Sequence, residues 1–151
     1  AAPQDEQRQE MSYASQQDIT DLYGAELLDL ISDLDGDGSA DPDVVAKGLN
    51  NASALIDTHI SARFELPLSS VPEVLVSLCV DIAVYQIAAT ADRGTDEYRQ
   101  RYEDAISLLK RIADGKAGLG IASPSAPEAN SQTVLTSGPG RVFSRDSLKG
   151  M

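Results

Sequence analysis

The apolar residues of this chain crowd into one stretch, Pro72 to Asp92, with the sequence PEVLVSLCVDIAVYQIAATAD. Leu75, Val76, Leu78, Cys79, Val80, Ile82, Ala83, Val84, Ile87, Ala88 and Ala89 go nearly all the way round a helix instead of forming one stripe. A helix apolar on every side is buried in a protein core or lies in a membrane. Asp81, Tyr85 and Gln86 interrupt the run and its flanks are charged. It therefore falls short of the roughly 18 unbroken apolar residues that a span requires. The pattern predicts a central helix, started by Ser70, Pro72 and Glu73 and running to about Ala91, with other helices wrapped around it.

Those other helices are legible as stripes with punctuation. Ser15 followed by Asp18 has the form of a capping box, with Asp in place of the usual Glu. Ile19, Leu22 and Tyr23 then share a face, and Leu27, Leu28, Leu30 and Ile31 continue the pattern. Gly24 falls between the two sets and predicts a bend or break. A second start is written by Asp41 as N-cap, Pro42 in the first helical position and Asp43 behind it. Val45, Leu49, Ala52, Ile56 and Ile60 recur at helical spacing, Leu55 and Phe64 widen the stripe, and Pro67 is expected to end it. Thr95 caps a last helix whose stripe is Tyr98, Tyr102, Ala105, Ile106, Leu109 and Ile112. Lys110 and Arg111 occupy its final turn and Gly115 stops it. The fold class is all-α: a small helical bundle around a buried central helix, with a long extended C-terminal arm.

The ends differ from this middle. Residues 1–10 are polar and precede Met11, so positions 1–14 are expected to be a flexible N-terminal extension and 15–115 the helical domain. From 116 to 151 the chain loses helical period and is rich in Gly, Ser, Pro and Ala. A stretch of that length and composition reads as a linker, a disordered end or a docking arm. Its last residues, GRVFSRDSLKGM, bring back apolar Val142, Phe143 and Leu148 after a polar spacer, as a short docking peptide would; strand addition and groove docking are the two modes open to it.

Charge divides along the same line. The net charge is −12 and the pI about 4.3. The tail carries Lys116, Arg141, Arg145 and Lys149 against Glu128 and Asp146, a net +2, which leaves −14 on the rest of the chain. An acidic body disfavours nonspecific binding to DNA phosphates or anionic lipid, and suits a channel wall that must not grip DNA.

Candidate chemistry is sparse. Asp33, Asp35 and Asp37 with Gly38 match the first half of an EF-hand loop, where alternate carboxylates converge on calcium. The second half departs from it: the twelfth position is Val44 instead of Glu, and the eighth is Ala40. Asp33, Asp35, Asp37 and Asp41 are thus weak calcium candidates, and a solvated acidic turn before the next helix is the reading preferred. The single histidine, His59, has no second His or Cys to complete a metal set, and reads as a helix-edge packing residue. Cys79, the lone cysteine, sits in the most apolar segment and reads as a packed thiol. There is no phosphate loop, no serine-nucleophile motif and no paired His and Cys, so neither enzyme activity nor a cofactor is expected.

Several segments together resemble a known family. SYASQQDITDLYG (12–24), DGDGSADPDVVAKGLNNASALIDTHISARFELPL (35–68), VPEVLVSLCVDIAVYQI (71–87) and YEDAISLLKRIADGKAGLGI (102–121) are similar to the phage Mu-like neck family, small proteins encoded in the head-morphogenesis region of Mu-like phages and prophages. The most specific pieces are Ile56-Asp57, Ala62-Arg63-Phe64, Leu66-Pro67-Leu68 and the helix around Asp81-Ile82-Ala83-Tyr85; the ending VFSRDSLKGM is also similar. An aromatic near His59 and a tyrosine at position 64 would have matched that pattern more closely. The resemblance implies a virion protein of the neck, made in the host cytoplasm: a head–tail connector (adaptor or head-completion protein). It would form a homo-oligomeric ring of about twelve copies under the portal. Its partners would be the portal protein and tail-side neck or tail-terminator proteins, with DNA passing through without sequence-specific recognition and no membrane involved. By the same analogy Arg141, Val142, Phe143, Arg145 and Leu148 would dock the arm on the portal or a neighbouring copy. The competing expectation is an acidic calcium-binding or peptide-tail interaction module outside any ring.

Overall fold

A computed structural model describes residues 12–121. Five helices follow one another among them, with no strand: α1 (Gln16–Tyr23), α2 (Ala25–Ser32), α3 (Pro42–Ile60), α4 (Glu73–Thr90) and α5 (Asp96–Ala113). The fold is all-α, as the pattern predicts.

Helix α4 is the hub. Leu75, Leu78, Cys79, Val80, Ile82, Ala83, Val84, Ile87 and Ala88 are all buried, which places buried residues around most of its circumference. By length and composition alone α4 is long and apolar enough to cross a membrane. Here that surface is covered by the rest of the bundle, chiefly by α3 and α5, with α1 and α2 closing the remainder. Its N-cap position is Pro72 and no side chain caps it, so the expected start at Ser70 is not used. Burying such a helix removes enough apolar surface from water, at roughly 25 cal/mol per Å², to offset a plain start.

Helix α3 presents the stripe read from the sequence: Val45, Leu49, Ala52, Ile56 and Ile60 are buried, and Phe64 packs just beyond the helix. The helix stops at Ile60, before Pro67; Arg63 and Phe64 N–H groups turn back to the Ile60 carbonyl. Gly48 lies on the same stripe, and a Cβ built there would stand 2.6 Å from both Cγ1 and Cδ1 of Ile87. Glycine is what lets α3 and α4 approach this closely. Valine would regain roughly 0.4 kcal/mol of helix propensity but set an isopropyl group against Ile87, an overpacking cost of about 1–3 kcal/mol. Gly48→Val is therefore expected to lower the urea midpoint, with a net loss of about 1–2 kcal/mol.

The first segment breaks at Gly24, which has φ +90°. The Ser15–Asp18 capping box is formed in both directions. The break gives each two-turn helix its own narrow buried stripe, Ile19 in α1 and Leu28 with Ile31 in α2. Leu22 and Leu30 fall outside these stripes and stay 55% exposed. At the other end, Thr95 caps α5 by accepting from the Tyr98 N–H. The chain leaves α5 through Gly115, φ +77°, with the Lys116 N–H returning to the Arg111 carbonyl.

The folded body extends past both limits set by the sequence pattern. Ser12, Tyr13 and Ala14, assigned to the N-terminal extension, are part of it: Ala14 is buried and the Tyr13 N–H donates to Ser53 Oγ at 3.0 Å. Ser53, buried on α3, also donates to the Leu49 carbonyl at 2.9 Å and lies 3.1 Å from Ser12 Oγ. Beyond α5, Leu119 is buried and Ala117 and Ile121 pack against the core, although the arm was expected to begin at 116. The segment 12–14 lacks any helical period, and its fixation comes from partners forty or more positions away, the buried Ser53 hydroxyl among them.

Candidate functional site

Two phenol–carboxylate pairs tie the N-terminal segment to the long helices. Tyr13 donates to Asp57 Oδ1 on α3, and Tyr23 donates to Asp81 Oδ1 on α4 at 2.6 Å. Asp81 is the acidic residue that interrupts the apolar run, and the Tyr23 hydroxyl is its partner. Around Tyr23, the Tyr98 ring meets it edge-on with centroids 6.2 Å apart, and the Arg101 guanidinium sits 5.0 Å from its ring centroid. Tyr85 of α4 stacks on Tyr102 of α5 at 4.5 Å. All five tyrosines therefore join elements together. Arg99 and Arg101 pair along α5 with Asp96 and Glu97, in exposed positions of little energetic weight.

Burial first, and the hydrogen bond to a carboxylate second, hold both Tyr13 and Tyr23 well above the ordinary phenol value of 10. Below pH 10 the phenols are neutral in folded and unfolded chains alike and their contribution is fully present. As pH rises above 10 the unfolded chain ionises first, so stability falls with pH toward the folded-state values. The wild type is expected to lose stability more steeply above pH 10 than Tyr23→Phe. At neutral pH that variant should lose about 1–2 kcal/mol for the missing bond to a charged acceptor. Urea unfolding at pH 7, 9 and 10.5 would measure both.

The acidic turn between α2 and α3 gathers three of its four candidate residues. One carboxylate oxygen from each of Asp33, Asp35 and Asp37 lies within 4.8 Å of the others. Each already receives backbone N–H groups: Gly36 and Gly38 donate to Asp33, Asp37 to Asp35, and Ser39 to Asp37. Against a desolvation that works the other way, the Gly36 and Gly38 donors hold Asp33 below the usual carboxylate value. For Asp35 the Asp37 N–H acts downward, but desolvation and the charges of Asp37 and Asp41 together hold it above. Asp41 stands apart, accepting from the Leu34 N–H at 3.0 Å instead of capping α3 with its side chain. Val44, in the place of the bidentate Glu, packs against the core. The turn is closed by its own backbone donors.

Neither other candidate side chain meets a reacting partner. The His59 Nδ1–H donates to the Leu55 carbonyl at 2.9 Å, within its own helix. Burial pushes the Cys79 thiol up, opposed by the Ser53 and Ser12 hydroxyls, and the sulfur is enclosed. Arg141, Val142, Phe143, Arg145 and Leu148 lie outside the described residues.

One concavity combines apolar walls with the Tyr13–Asp57 pair. It has a volume of about 560 Å³ and is lined by Ser12, Tyr13, Asp57, Leu66, Pro67, Leu68 and Val71. Leu66 and Val71 are 37% and 46% exposed, large side chains left open to solvent at its wall. The periodicity of the chain gave no sign of it, because it is built from the α3–α4 connection and the segment before α1. The signal available was the density of apolar residues in ELPLSSVP, a connection more hydrophobic than a solvated loop requires.

The body is a small, acidic all-α domain wound on one apolar helix. The chain is a member of the family described as Bacteriophage Mu, Gp36, whose model matches residues 13–136 and so takes in all five helices. It is 33% identical over 138 residues to the Mu-like prophage FluMu protein gp36 of Haemophilus influenzae, a match covering 91% of this chain and 96% of that one. It is also 33% identical over 138 residues to Gene product J of Escherichia phage Mu, covering 89% and 96% respectively.

Proposed function

We propose that this chain is a structural protein of a Mu-like phage particle: a head–tail connector that forms a ring of about twelve copies beneath the portal. Membership of the Mu gp36 family across residues 13–136 carries this reading. The physical features are in keeping with it. A rigid helical wedge suits repetition around an axis, and a net −14 outside the tail would let DNA slide through a lumen without being held. The portal on the head side, and tail-side neck or terminator proteins below, are its proposed partners, and the arm from 116 to 151 its proposed means of attachment. Catalysis has no part in this role. Disrupting the gene in a phage that carries it should leave filled heads and finished tails unjoined, and supplying the chain in trans should restore particles. Normal yields of joined, infectious particles without it would overturn the proposal.

The convergence of Asp33, Asp35 and Asp37 favours one other reading, a calcium-binding module. A ligand that binds only the native state raises the melting temperature. With the second half of the loop lacking ligands, millimolar calcium is expected to leave the melting temperature where it is; a rise that titrates with calcium would favour the module.

A further inference from the structure

We propose that the groove between the α3–α4 connection and the segment before α1 receives the C-terminal segment Arg141–Leu148 of this same chain type. The groove offers Leu66 and Val71 as open apolar wall and Asp57 as a carboxylate beside it, and Glu65 directly precedes Leu66. The segment offers the complement: Val142 and Phe143 side by side, flanked by Arg141 and Arg145, with Leu148 one short step further on. Apolar side chains seated between basic residues fit an apolar trough with acidic neighbours, and an arginine–carboxylate contact beside a buried aromatic fixes direction as well as affinity.

Chain length permits it. Ile121 and Arg141 are twenty positions apart, joined by a stretch rich in Ser, Pro and Ala; a coil of that length has a root-mean-square span of roughly 25 Å and extends further when stretched. Another concavity, formed by α3, α4 and α5, suits the segment less. It is a shallow surface that sets small and polar residues beside Leu55 and the Tyr85–Tyr102 pair, whose rings already stack on each other, and it leaves no large aliphatic as open as Leu66. The inference takes from the proposed function only the idea that the arm docks; the site it docks on is argued from the groove itself.

Disulfide trapping in the full-length chain tests it. Ser70→Cys with Ser144→Cys places one thiol at the groove and one inside the segment while leaving every apolar contact in place. Ser107→Cys with Ser144→Cys, on the exposed side of α5, is the comparison, and the enclosed Cys79 stays unreactive. Mild oxidation should trap the first pair and leave the second open. Adding Phe143→Ala to the first pair should cut the trapping rate about tenfold. A cross-linked monomer assigns the segment to its own chain's groove, and a cross-linked dimer or ladder to a neighbour's; both support the docking. Equal trapping of both pairs, or none at the groove, overturns it. Failure here would be separate from failure of the connector reading: a ring that assembles without groove trapping removes the docking site alone, and trapping in a chain that never joins a portal removes the connector alone.

Discussion

A chain shortened by deletion of Gly138–Met151 should fold as the full chain does and fail to assemble. The core supports the first half. Among the described residues the buried cluster runs from Ala14 to Leu119, well ahead of Gly138, so the cooperative melt should survive. The second half follows from multivalency. In the proposed ring each copy contributes one modest arm contact, and the contacts act together because the others hold the ring in place. Removing the same contact from every copy removes the whole gain, so the apparent affinity between copies should fall about 100-fold or more. Circular dichroism melts and light scattering on the same preparation would separate the two effects. A truncated chain that assembled as the full one does would sink the arm.

The other large effect lies in α4. Ile82 is fully buried near the middle of that helix. Ile82→Ala should cost about 2–5 kcal/mol, the sum of lost transfer energy and the cavity left behind. The stability of a small domain is about 5–15 kcal/mol, so this is a large part of it. At about 4–8 °C per kcal/mol, the melting temperature should fall by roughly 8–40 °C. Leu22→Ala, at a side chain that is 55% exposed, should change stability by less than about 0.5 kcal/mol. Similar losses at the two positions would mean that α4 is not the enclosed centre of the bundle.

What could be read from the chain is what local chemistry and period dictate. The central helix, the α3 stripe, the Ser15 and Thr95 caps and the break at Gly24 all follow from residues within a few positions of one another. What could not be read depends on partners far apart in sequence. The Tyr23–Asp81 bond spans 58 positions and the Tyr13–Asp57 bond 44. A polar residue inside an apolar helix is a warning that a partner exists, and Asp81 gave that warning without naming the partner. The starts of α3 and α4 fall where expected, but their side-chain caps do not form, for a related reason. Asp41 gave its carboxylate to Leu34 in the acidic turn, and Ser70 was left out when the chain entered α4 at Pro72. The groove was the least legible feature, since Leu66, Pro67, Leu68 and Val71 become a wall only when the segment carrying Tyr13 lies across from them. The proposed site is thus half readable: the tail's pattern of Arg, Val and Phe is written in the sequence, and its receptor is written in the fold.

The connector role is tested most directly by the mass of the purified full-length chain by light scattering, alone and mixed with the portal of its phage. A connector gives a ring-sized species, or a stable portal complex carrying many copies of the chain. A mass equal to the monomer in both conditions would contradict the ring.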